Sequence, residues 1–249
     1  MKEKIKNFIL NVNVLKRVLG YGIFSSLFFK KFKLKINKQV PHGKVLVLAP
    51  HTDDEVFGCG GALKLHTLQK DPVKIVYLTS LSRSRKKRQK EAEAATKILS
   101  ISDLIFLNNF DGKLAVNKKT VLELVRIIKA YQPRIIYVPT FLDPHPDHLN
   151  TAKILAKALE FLNYQCWIFS YEIWSPIYVN RLVIIDKVLN FKKRAIKIYK
   201  SQLKDRPYLQ AILGLNQYRA KIFDIGNYAE GFFVCDTRTY LRLINKLLK

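Results

Sequence analysis

The sequence predicts an α/β fold in which a single doubly wound, mostly parallel sheet carries helices on both faces, as in Rossmann-like proteins. Short apolar runs alternate with stretches of helical periodicity, and glycine or proline separates many of them. No linker rich in glycine, serine or proline divides the 249 residues. An alternation of strand and helix requires crossover connections, which join parallel strands. We therefore expect one domain built on a parallel sheet.

Four strand–helix pairs account for the main part of the pattern. The strands are expected at about 44–49, 74–79, 104–107 and 134–139, and the helices at about 55–69, 85–99, 118–131 and 149–163. Short strands near 166–172, 181–185 and 231–235 would extend or cap the sheet. A chain of this length with 49% hydrophobic residues can bury one substantial core.

The amino-terminal residues 1–40 are expected to form a basic amphipathic arm that precedes a catalytic domain over residues 41–249. The arm mixes aromatic and aliphatic residues with frequent lysines. Its uncharged stretch, Val18 to Phe29, is too short to span a bilayer, and no signal-peptide cleavage site follows it. Peripheral contact with an anionic membrane and packing of the arm on the domain or on a partner subunit both fit this composition.

The charge of the chain is strongly positive, because 44 basic residues face 19 acidic ones and give a formal +25. Basic residues cluster at 83–90 and 192–200. Three interpretations fit: lysines spread over solvated faces, an acidic substrate such as a phosphate-bearing amino sugar, or an anionic membrane surface. No nucleic-acid reading motif accompanies the charge, so a specific nucleic-acid partner is not expected.

The three cysteines are widely spaced and form no C-x-x-C pair. This spacing predicts neither a disulfide framework nor a structural zinc module, and it favours a reducing compartment. We expect a cytoplasmic protein, with association at the inner face of the membrane as a further option.

Two polar motifs follow predicted strands. Pro50-His-Thr-Asp-Asp54 comes after the first strand, and His145-Pro-Asp-His148 comes after the fourth; together they carry three of the five histidines. Open parallel sheets bind their ligands at the carboxyl ends of strands. The sequence therefore predicts that both motifs lie at one functional site.

The residues of these motifs suit a catalytic metal site. Two histidines and one carboxylate form an accepted zinc ligand set that leaves a position for water, and His51, Asp54 and His148 fit it. Asp53 and His145 are then left for proton transfer and charge stabilisation. A helix cap could explain either aspartate alone, but the joint occurrence of both motifs favours a metal site.

A glycine cluster follows the first motif at Gly58, Gly60 and Gly61. Its spacing differs from the G-x-G-x-x-G pattern that binds dinucleotides. We expect these small residues to let the first helix approach the sheet and to leave room for a ligand.

At these residues a family resemblance emerges. Pro50-His-Thr-Asp-Asp-Glu55 with Gly58, and His145-Pro-Asp-His148, resemble the two signatures of the LmbE/PIG-L family of zinc-dependent N-acetylglucosaminyl deacetylases. The first motif departs at Thr52, where the family usually has proline. Weaker similarities in the same order extend from about Val45 to Val234.

The resemblance implies a metal and a base. Zn2+, or another divalent transition metal, would be held by His51, Asp54 and His148. Asp53 would act as the general base, and this assignment comes from the resemblance alone, because spacing cannot order two adjacent carboxylates. Both aspartates would then be essential to turnover, and only Asp54 would also be needed for the metal.

Further site residues are also implied by the resemblance. A protonated His145, supported by the carboxylate of Asp147, would stabilise the oxyanion. Three residues are candidates for substrate binding: Arg88, Asp111 and Glu230. Each has a structural alternative, namely an intrahelical ion pair, an ordinary Asp-Gly turn and the satisfaction of a strand terminus.

The implied activity is hydrolysis of the N-acetyl group of a GlcNAc-containing conjugate, with release of acetate. The partner would be a GlcNAc-bearing small molecule or a glycolipid, and an anionic or lipid-linked form is left open. One alternative is a metal-dependent amidase acting on another N-acyl amino sugar or on a thiol conjugate. Another is a basic protein that binds polyanions or membranes without catalysis.

Overall fold

A computed structural model describes residues 33–81 and 84–247 of the chain. Residues 36–249 form one compact unit of the chain, and nearly all described residues belong to it. The predicted arm over residues 1–40 falls mostly on residues outside the described ones, so it stays a prediction. Among the described helices, none has the length and apolar character needed to cross a membrane.

Eight strands of the described chain form one sheet. They are β1 Lys35–Asn37, β2 Val45–Ala49, β3 Val73–Leu81, β4 Asp103–Phe110, β5 Ile135–Pro139, β6 Trp167–Tyr171, β7 Arg181–Ile184 and β8 Ala229–Asp236. The helices of the described chain are α1 Asp54–Leu68, α2 Arg85–Ile98, α3 Lys118–Tyr131, α4 Pro146–Leu162, α5 Leu189–Ile198, α6 Lys200–Leu203, α7 Tyr208–Lys221 and α8 Thr237–Leu247. A short 3-10 turn, Asp186–Val188, precedes α5.

The strand order is β1-β7-β8-β6-β5-β2-β3-β4. Strands β6, β5, β2, β3 and β4 are mutually parallel, whereas β8 is antiparallel to both β6 and β7. From β2 the chain moves outward through β3 to β4, and it then returns to place β5 on the other side of β2. The boundary between β2 and β5 is therefore the topological switch point of the sheet, where open α/β sheets bind ligands.

The helices form two layers. Helices α1 and α2 pack with α5, whereas α3 and α4 pack with each other and α4 packs with α8. Right-handed crossovers place α1 and α2 on one face and α3 and α4 on the other, because the direction of chain progression reverses after β4. Strands β2 and β5 are completely buried between the layers. The predicted doubly wound, mostly parallel sheet with helices on both faces is confirmed.

The predicted strand–helix pairs lie within a few residues of their predicted positions, but the fourth helix begins early. It was expected near Leu149 and begins at Pro146. The backbone N–H of Asp147 donates to Nδ1 of His145 at 3.2 Å, so His145 caps the helix, and proline occupies its first position. Asp147 and His148 therefore lie in the first turn of a helix. The helices that follow residue 188 were not predicted.

Helix α1 is interrupted at Cys59, whose backbone angles of φ −141° and ψ 15° are not helical. The interruption frees two amides, Gly61 N–H and Ala62 N–H, and both donate to the Glu230 carboxylate at 2.7 Å. Nζ of Lys192 donates to the same carboxylate at 2.6 Å. This fully buried ion pair joins α5 and β8 to the kink, so it fixes the direction of the segment that leads back to the first motif.

Two of the glycines in α1 permit close packing on the sheet. A Cβ at Gly58 would lie 2.2 Å from the Tyr171 ring, and a Cβ at Gly61 would lie 2.6 Å from Ile185. Neither position has space for a larger residue unless the neighbouring side chain moves. The expectation that small residues let the first helix approach the sheet is confirmed at Gly58, which packs on Tyr171 of β6, whereas Gly61 packs on Ile185 just after β7.

We expect Lys192→Met to lower the free energy of unfolding by about 3–5 kcal/mol, because it leaves the Glu230 carboxylate buried without its positive partner. Urea denaturation followed by circular dichroism measures the change. Lys197→Met is the matched control, since Lys197 lies on the same helix and is exposed. Equal stability of the two variants would show that the buried pair does not hold the kink.

Candidate metal centre and pocket

Both polar motifs lie at the switch point. The first occupies the turn between β2, which ends at Ala49, and α1, which begins at Asp54. The second follows β5 and forms the start of α4, where His145 caps the helix and His148 lies in its first turn. The two strands are neighbours and parallel, so both motifs leave the sheet at the same edge. The prediction that the motifs lie together at one site is confirmed by their mutual contacts.

Three side-chain atoms from the two motifs form a compact triangle. Nδ1 of His51 lies 3.2 Å from Oδ2 of Asp54 and 3.4 Å from Nε2 of His148. The third side, from Nε2 of His148 to Oδ2 of Asp54, is 3.3 Å. All three residues are buried. The backbone N–H of His51 also donates to Oδ2 of Asp54 at 2.9 Å, which holds the first motif in its turn.

The triangle has the dimensions of a metal site. An ion with the tetrahedral geometry of zinc and bonds of about 2.0–2.1 Å separates its ligand atoms by about 3.3–3.4 Å. The three observed separations fall close to that range, and two nitrogen donors with one carboxylate oxygen suit a divalent transition metal. The site can therefore hold a divalent metal without rearrangement of its ligands.

Each imidazole of the triangle has a carboxylate behind it. Nδ1 of His148 lies 3.2 Å from Oδ2 of Asp143, and Nε2 of His51 lies 3.0 Å from Oδ2 of Asp147. Such carboxylates fix the orientation of a ligating histidine and make it more basic. Asp143 was not predicted, although it lies two residues before the second motif.

Asp147 has partners other than the predicted one. It was expected to support His145, but its carboxylate contacts His51 and accepts the backbone N–H groups of Gly112 at 2.7 Å and Leu114 at 3.0 Å. It is 1% exposed and does not line the pocket. Asp147 is therefore a positioning residue for His51.

The backbone of Asp53 is strained. Its φ of 151° lies in the region that favours glycine. The conformation is held from behind, because the backbone N–H of Asp53 donates to Oε2 of Glu55 at 3.1 Å, and Oε1 of Glu55 accepts the hydroxyls of Tyr77 and Tyr199. Burial raises the pKa of Glu55 to about 7. Glu55 directly follows the first motif, yet no role was predicted for it.

The two adjacent aspartates have opposite pKa shifts. Burial, followed by the negative charge of Asp54, raises the pKa of Asp53, although Arg88 opposes the shift. Burial also acts to raise the pKa of Asp54, but His148 and His51 outweigh it and hold this pKa well below its usual range. Environment thus separates an anionic carboxylate in the triangle from a neighbouring carboxyl that takes up a proton more readily.

His145 lies beside the triangle. Its ring centre is 4.8 Å from that of His51 and 4.9 Å from that of His148. Burial, followed by the positive charges of His51 and His148, lowers its pKa. Because Nδ1 accepts the N–H of Asp147, the neutral ring carries its hydrogen on Nε2. The expectation of a protonated His145 is therefore replaced by that of a neutral hydrogen-bond donor.

A cavity of about 160 Å³ covers the centre. It is lined by His51, Asp53, Asp54, Phe57, Arg88, Asp111, His145, Ile173, Trp174, Gln202 and Tyr208. Ile173 and Trp174 come from the connection after β6, Gln202 comes from α6, and Tyr208 comes from α7. No sequence signal identifies Ile173, Trp174 or Tyr208 as site residues. Gln202 lies within the range of weaker family similarities, but no role was predicted for it.

Arg88 and Asp111, the two other candidates for substrate binding, both line this cavity. Nη1 of Arg88 pairs with Oδ2 of Asp111, and Nε donates to the hydroxyl of Thr52 at 3.1 Å. The intrahelical alternative for Arg88 is not formed, since the Glu91 carboxylate accepts the backbone N–H and the hydroxyl of Ser201.

The expectation of a substrate contact for Glu230 is wrong in this structure. Glu230 is fully buried, and its carboxylate is occupied by Lys192 and by the two amides at the kink of α1. It does not line the cavity. Glu230 instead accepts hydrogen bonds from backbone N–H groups, as its structural alternative predicted. These groups belong to α1 and not to the end of a strand.

Comparison with known proteins places this site in a family. Residues 46–159 match the sequence model of the PIG-L family, which is described as GlcNAc-PI de-N-acetylase. The matched segment runs from β2 into α4 and contains both motifs. Over residues 46–159 the chain is thus similar to PIG-L family domains. The resemblance to the LmbE/PIG-L family, predicted from the motifs, is confirmed.

Relatives of the PIG-L domain extend over more of the chain. The sequence is 27% identical over 228 residues to diacetylchitobiose deacetylase of Thermococcus kodakarensis, covering 76% of this chain and 83% of that protein. A probable N-acetyl-alpha-D-glucosaminyl L-malate deacetylase 2 of Bacillus anthracis is 29% identical, with 46% of this chain and 58% of that protein covered. A 4-oxalmesaconate hydratase of Pseudomonas putida is 28% identical, with 49% and 56% covered. The family description and the names of two of these relatives are therefore those of deacetylases, in agreement with the predicted enzyme class.

Solved structures share the fold. The conserved protein TT1542 of Thermus thermophilus superimposes with a TM-score of 0.70 at 26% identity, covering 77% of this chain and 94% of that one. An N,N'-diacetylchitobiose deacetylase of Pyrococcus horikoshii, complexed with its inhibitor MPG, gives 0.69 at 23% identity, covering 88% and 94%. The α/β architecture around the PIG-L domain is thus shared beyond the matched residues.

We expect Asp53→Gly to be more stable than Asp53→Ala by about 1 kcal/mol. Glycine relieves the backbone strain of about 1–3 kcal/mol, which exceeds its usual entropic disadvantage of about 0.5–1 kcal/mol relative to alanine. Thermal unfolding of the two variants measures the difference. Arg126, which is exposed within α3, is the control position, and there the glycine variant should be less stable than the alanine variant. A glycine variant at Asp53 that is also less stable than the alanine variant would contradict the backbone strain.

Proposed function

We propose that the protein is a zinc-dependent hydrolase that removes the N-acetyl group of a GlcNAc-containing conjugate and releases acetate. One observation carries the proposal: two residues of the metal-ligand triangle, His51 and Asp54, line the same cavity as a separate carboxyl on a strained backbone, that of Asp53. Hydrolysis of an unactivated amide needs both a Lewis acid and a base. The deacetylase names of the family and of two relatives support this choice of reaction.

His51, Asp54 and His148 would hold the zinc ion. When bound there, zinc would polarise the acyl carbonyl and lower the pKa of water. Asp143 and Asp147 keep the two imidazoles in their ligating orientations by contacting the opposite ring nitrogens.

Asp53 is proposed as the general base. Its carboxyl accepts a proton from the attacking water as the oxygen forms a bond to the acyl carbon. The carbon–nitrogen bond then breaks, and the proton passes from Asp53 to the departing amine, which leaves acetate and a glucosamine. Glu55 maintains the position of Asp53 through the backbone N–H that it accepts.

His145 is proposed to stabilise the oxygen on which negative charge develops. In its neutral form the ring donates through Nε2, because Nδ1 is used at the start of α4. A neutral imidazole can donate this hydrogen bond without adding a positive charge beside the triangle. The ring of Trp174 stacks on His145 with centres 6.3 Å apart, which limits the orientations of the imidazole.

Arg88 and Asp111 are proposed to recognise the sugar. They lie on the wall of the cavity made by α2 and the turn after β4, where their mutual ion pair presents a donor and an acceptor side by side. A pyranose hydroxyl can use both at once. The relatives named for acetylated glucosamine compounds support a GlcNAc-type substrate.

The proposal also covers the rest of the conjugate and the cellular location of the enzyme. A small molecule and a glycolipid remain the two partner classes, and the predicted arm would contact an anionic membrane from the cytoplasm. The hydratase relative makes addition of water to an activated double bond a second candidate, because a base beside a Lewis acid also serves that reaction.

We expect Asp53→Asn to retain zinc and to lose acetate release by at least about 10²–10⁴-fold, the usual contribution of a general base. Asp54→Asn should lose both zinc and activity. The two isosteric changes at adjacent positions are matched controls for each other, and metal content is measured on protein stripped of metal and then dialysed against zinc.

The assay measures acetate and free amine together on methyl N-acetylglucosaminide, a GlcNAc glycolipid and a nucleotide-linked GlcNAc. Equal zinc content in Asp54→Asn and in the unchanged protein would contradict the division of roles. Zinc binding with no amine release from any acetamide would favour the hydratase reaction or another acyl group.

A further inference from the structure

A second and larger cavity, of about 520 Å³, adjoins the one over the metal centre. Four residues line both: Phe57, Ile173, Trp174 and Tyr208. The two spaces therefore adjoin at these shared side chains, and a ligand that occupies both would lie against them.

The wall of this second cavity is mainly apolar. Helix α7 contributes Ala211, Ile212 and Leu215, and these face the shared aromatic side chains. The one acid of the lining, Glu172, is neutralised by a buried ion pair with Arg219 and also accepts the backbone N–H of Ile177 at 2.8 Å. One cation, Arg206, also belongs to the lining, and its guanidinium lies 5.0 Å from the centre of the Trp174 ring. The rest of the wall offers contact area mainly to apolar groups.

Size shows that the cavity over the metal centre is incomplete as a binding site. Small-molecule sites usually have volumes of about 300–1,000 Å³. The cavity over the centre, at about 160 Å³, falls below that range, whereas the adjoining one lies within it. Room for a complete substrate therefore requires the apolar cavity.

The two ends of the combined space differ in chemistry. Arg88 and Asp111 provide charge and hydrogen bonds at one end, whereas Trp174, which is 39% exposed, and the side chains of α7 provide apolar surface at the other. A ligand with a polar sugar and an apolar substituent matches this asymmetry.

We propose that the cavity lined by α7, Trp174 and Phe57 binds an apolar substituent of the substrate, such as an alkyl chain of several carbons. This inference rests on the proposed function for the position of the sugar. The apolar substituent can be either a glycosidic aglycone or an N-acyl chain. The experiment has two arms, and together they distinguish these two sources.

The first arm measures binding without catalysis. Isothermal titration calorimetry compares octyl glucoside, kept below its micelle-forming concentration, with methyl glucoside. Each buried methylene contributes about 0.8 kcal/mol, or about fourfold in affinity. Burial of three or four of the additional methylenes should therefore make octyl glucoside bind about a hundredfold more tightly.

Variants on α7 locate the effect. Ala211→Trp fills the cavity and should remove at least tenfold of the octyl preference, and Leu215→Gln, which places an amide on the same wall, should reduce it. Gly214→Trp is the matched control, because it adds the same side chain to the same helix where a Cβ meets no atom within 4 Å and outside the cavity lining. It should leave the preference unchanged.

The second arm measures turnover on methyl N-acetylglucosaminide, octyl N-acetylglucosaminide and methyl N-octanoylglucosaminide. A gain in kcat/KM confined to the octyl glycoside, and lost in Ala211→Trp, assigns the cavity to the aglycone. A gain confined to the N-octanoyl compound assigns it to the acyl chain.

The outcomes separate the two proposals. Equal binding of octyl and methyl glucoside by the unchanged protein, together with no gain in kcat/KM for the octyl glycoside or the N-octanoyl compound, would overturn the apolar cavity as a binding site. An octyl preference that survives both Ala211→Trp and Leu215→Gln would overturn it as well. An octyl preference that Ala211→Trp removes, without release of amine from any of the three compounds, would support the cavity and reject the proposed hydrolysis.

Discussion

The reversal of chain direction between β2 and β5 is the constraint on which the rest of the structure depends. The two strands are neighbours and parallel, but the helices that follow them pack on opposite faces of the sheet. A crevice therefore opens at their carboxyl ends, and the turn after each strand delivers one histidine of the triangle. His51 and His148 are 97 residues apart in sequence, yet their ring nitrogens are 3.4 Å apart. No local segment could hold this arrangement by itself.

Buried charge is concentrated around that crevice, and each charged group has a defined partner. Asp143 and Asp147 support the two imidazoles, Glu55 holds the strained turn at Asp53, and the Lys192–Glu230 pair fixes the kink of α1 behind it. Buried ion pairs are poor sources of stability, but loss of one partner is costly. In this protein such pairs determine where the metal-ligand side chains lie. The strained backbone conformation of Asp53 is maintained by hydrogen bonds that connect it through Glu55 to the core.

The fold and the positions of the two motifs could be predicted from local periodicity. Strands β2 and β5, which precede the motifs, are wholly buried and therefore consist of short apolar runs. Local periodicity could not assign Glu230, since a glutamate beside Gly231 and Phe232 has the same local pattern whether it faces a cavity or the back of α1. Asp147 was placed beside His145 by sequence proximity, but the first turn of α4 directs its carboxylate to His51. Trp174 and Tyr208 reach the site from later segments, and only the folded chain shows that they border two cavities.

The central claim is that two imidazoles and one carboxylate hold a catalytic metal, and zinc K-edge X-ray absorption of the zinc-loaded protein tests it most directly. The account predicts one zinc per chain, with nitrogen and oxygen ligands at about 2.0–2.2 Å and scattering from two imidazoles, one of which is lost in His148→Ala. Sulfur ligands at about 2.3 Å, or an unchanged spectrum in His148→Ala, would contradict it.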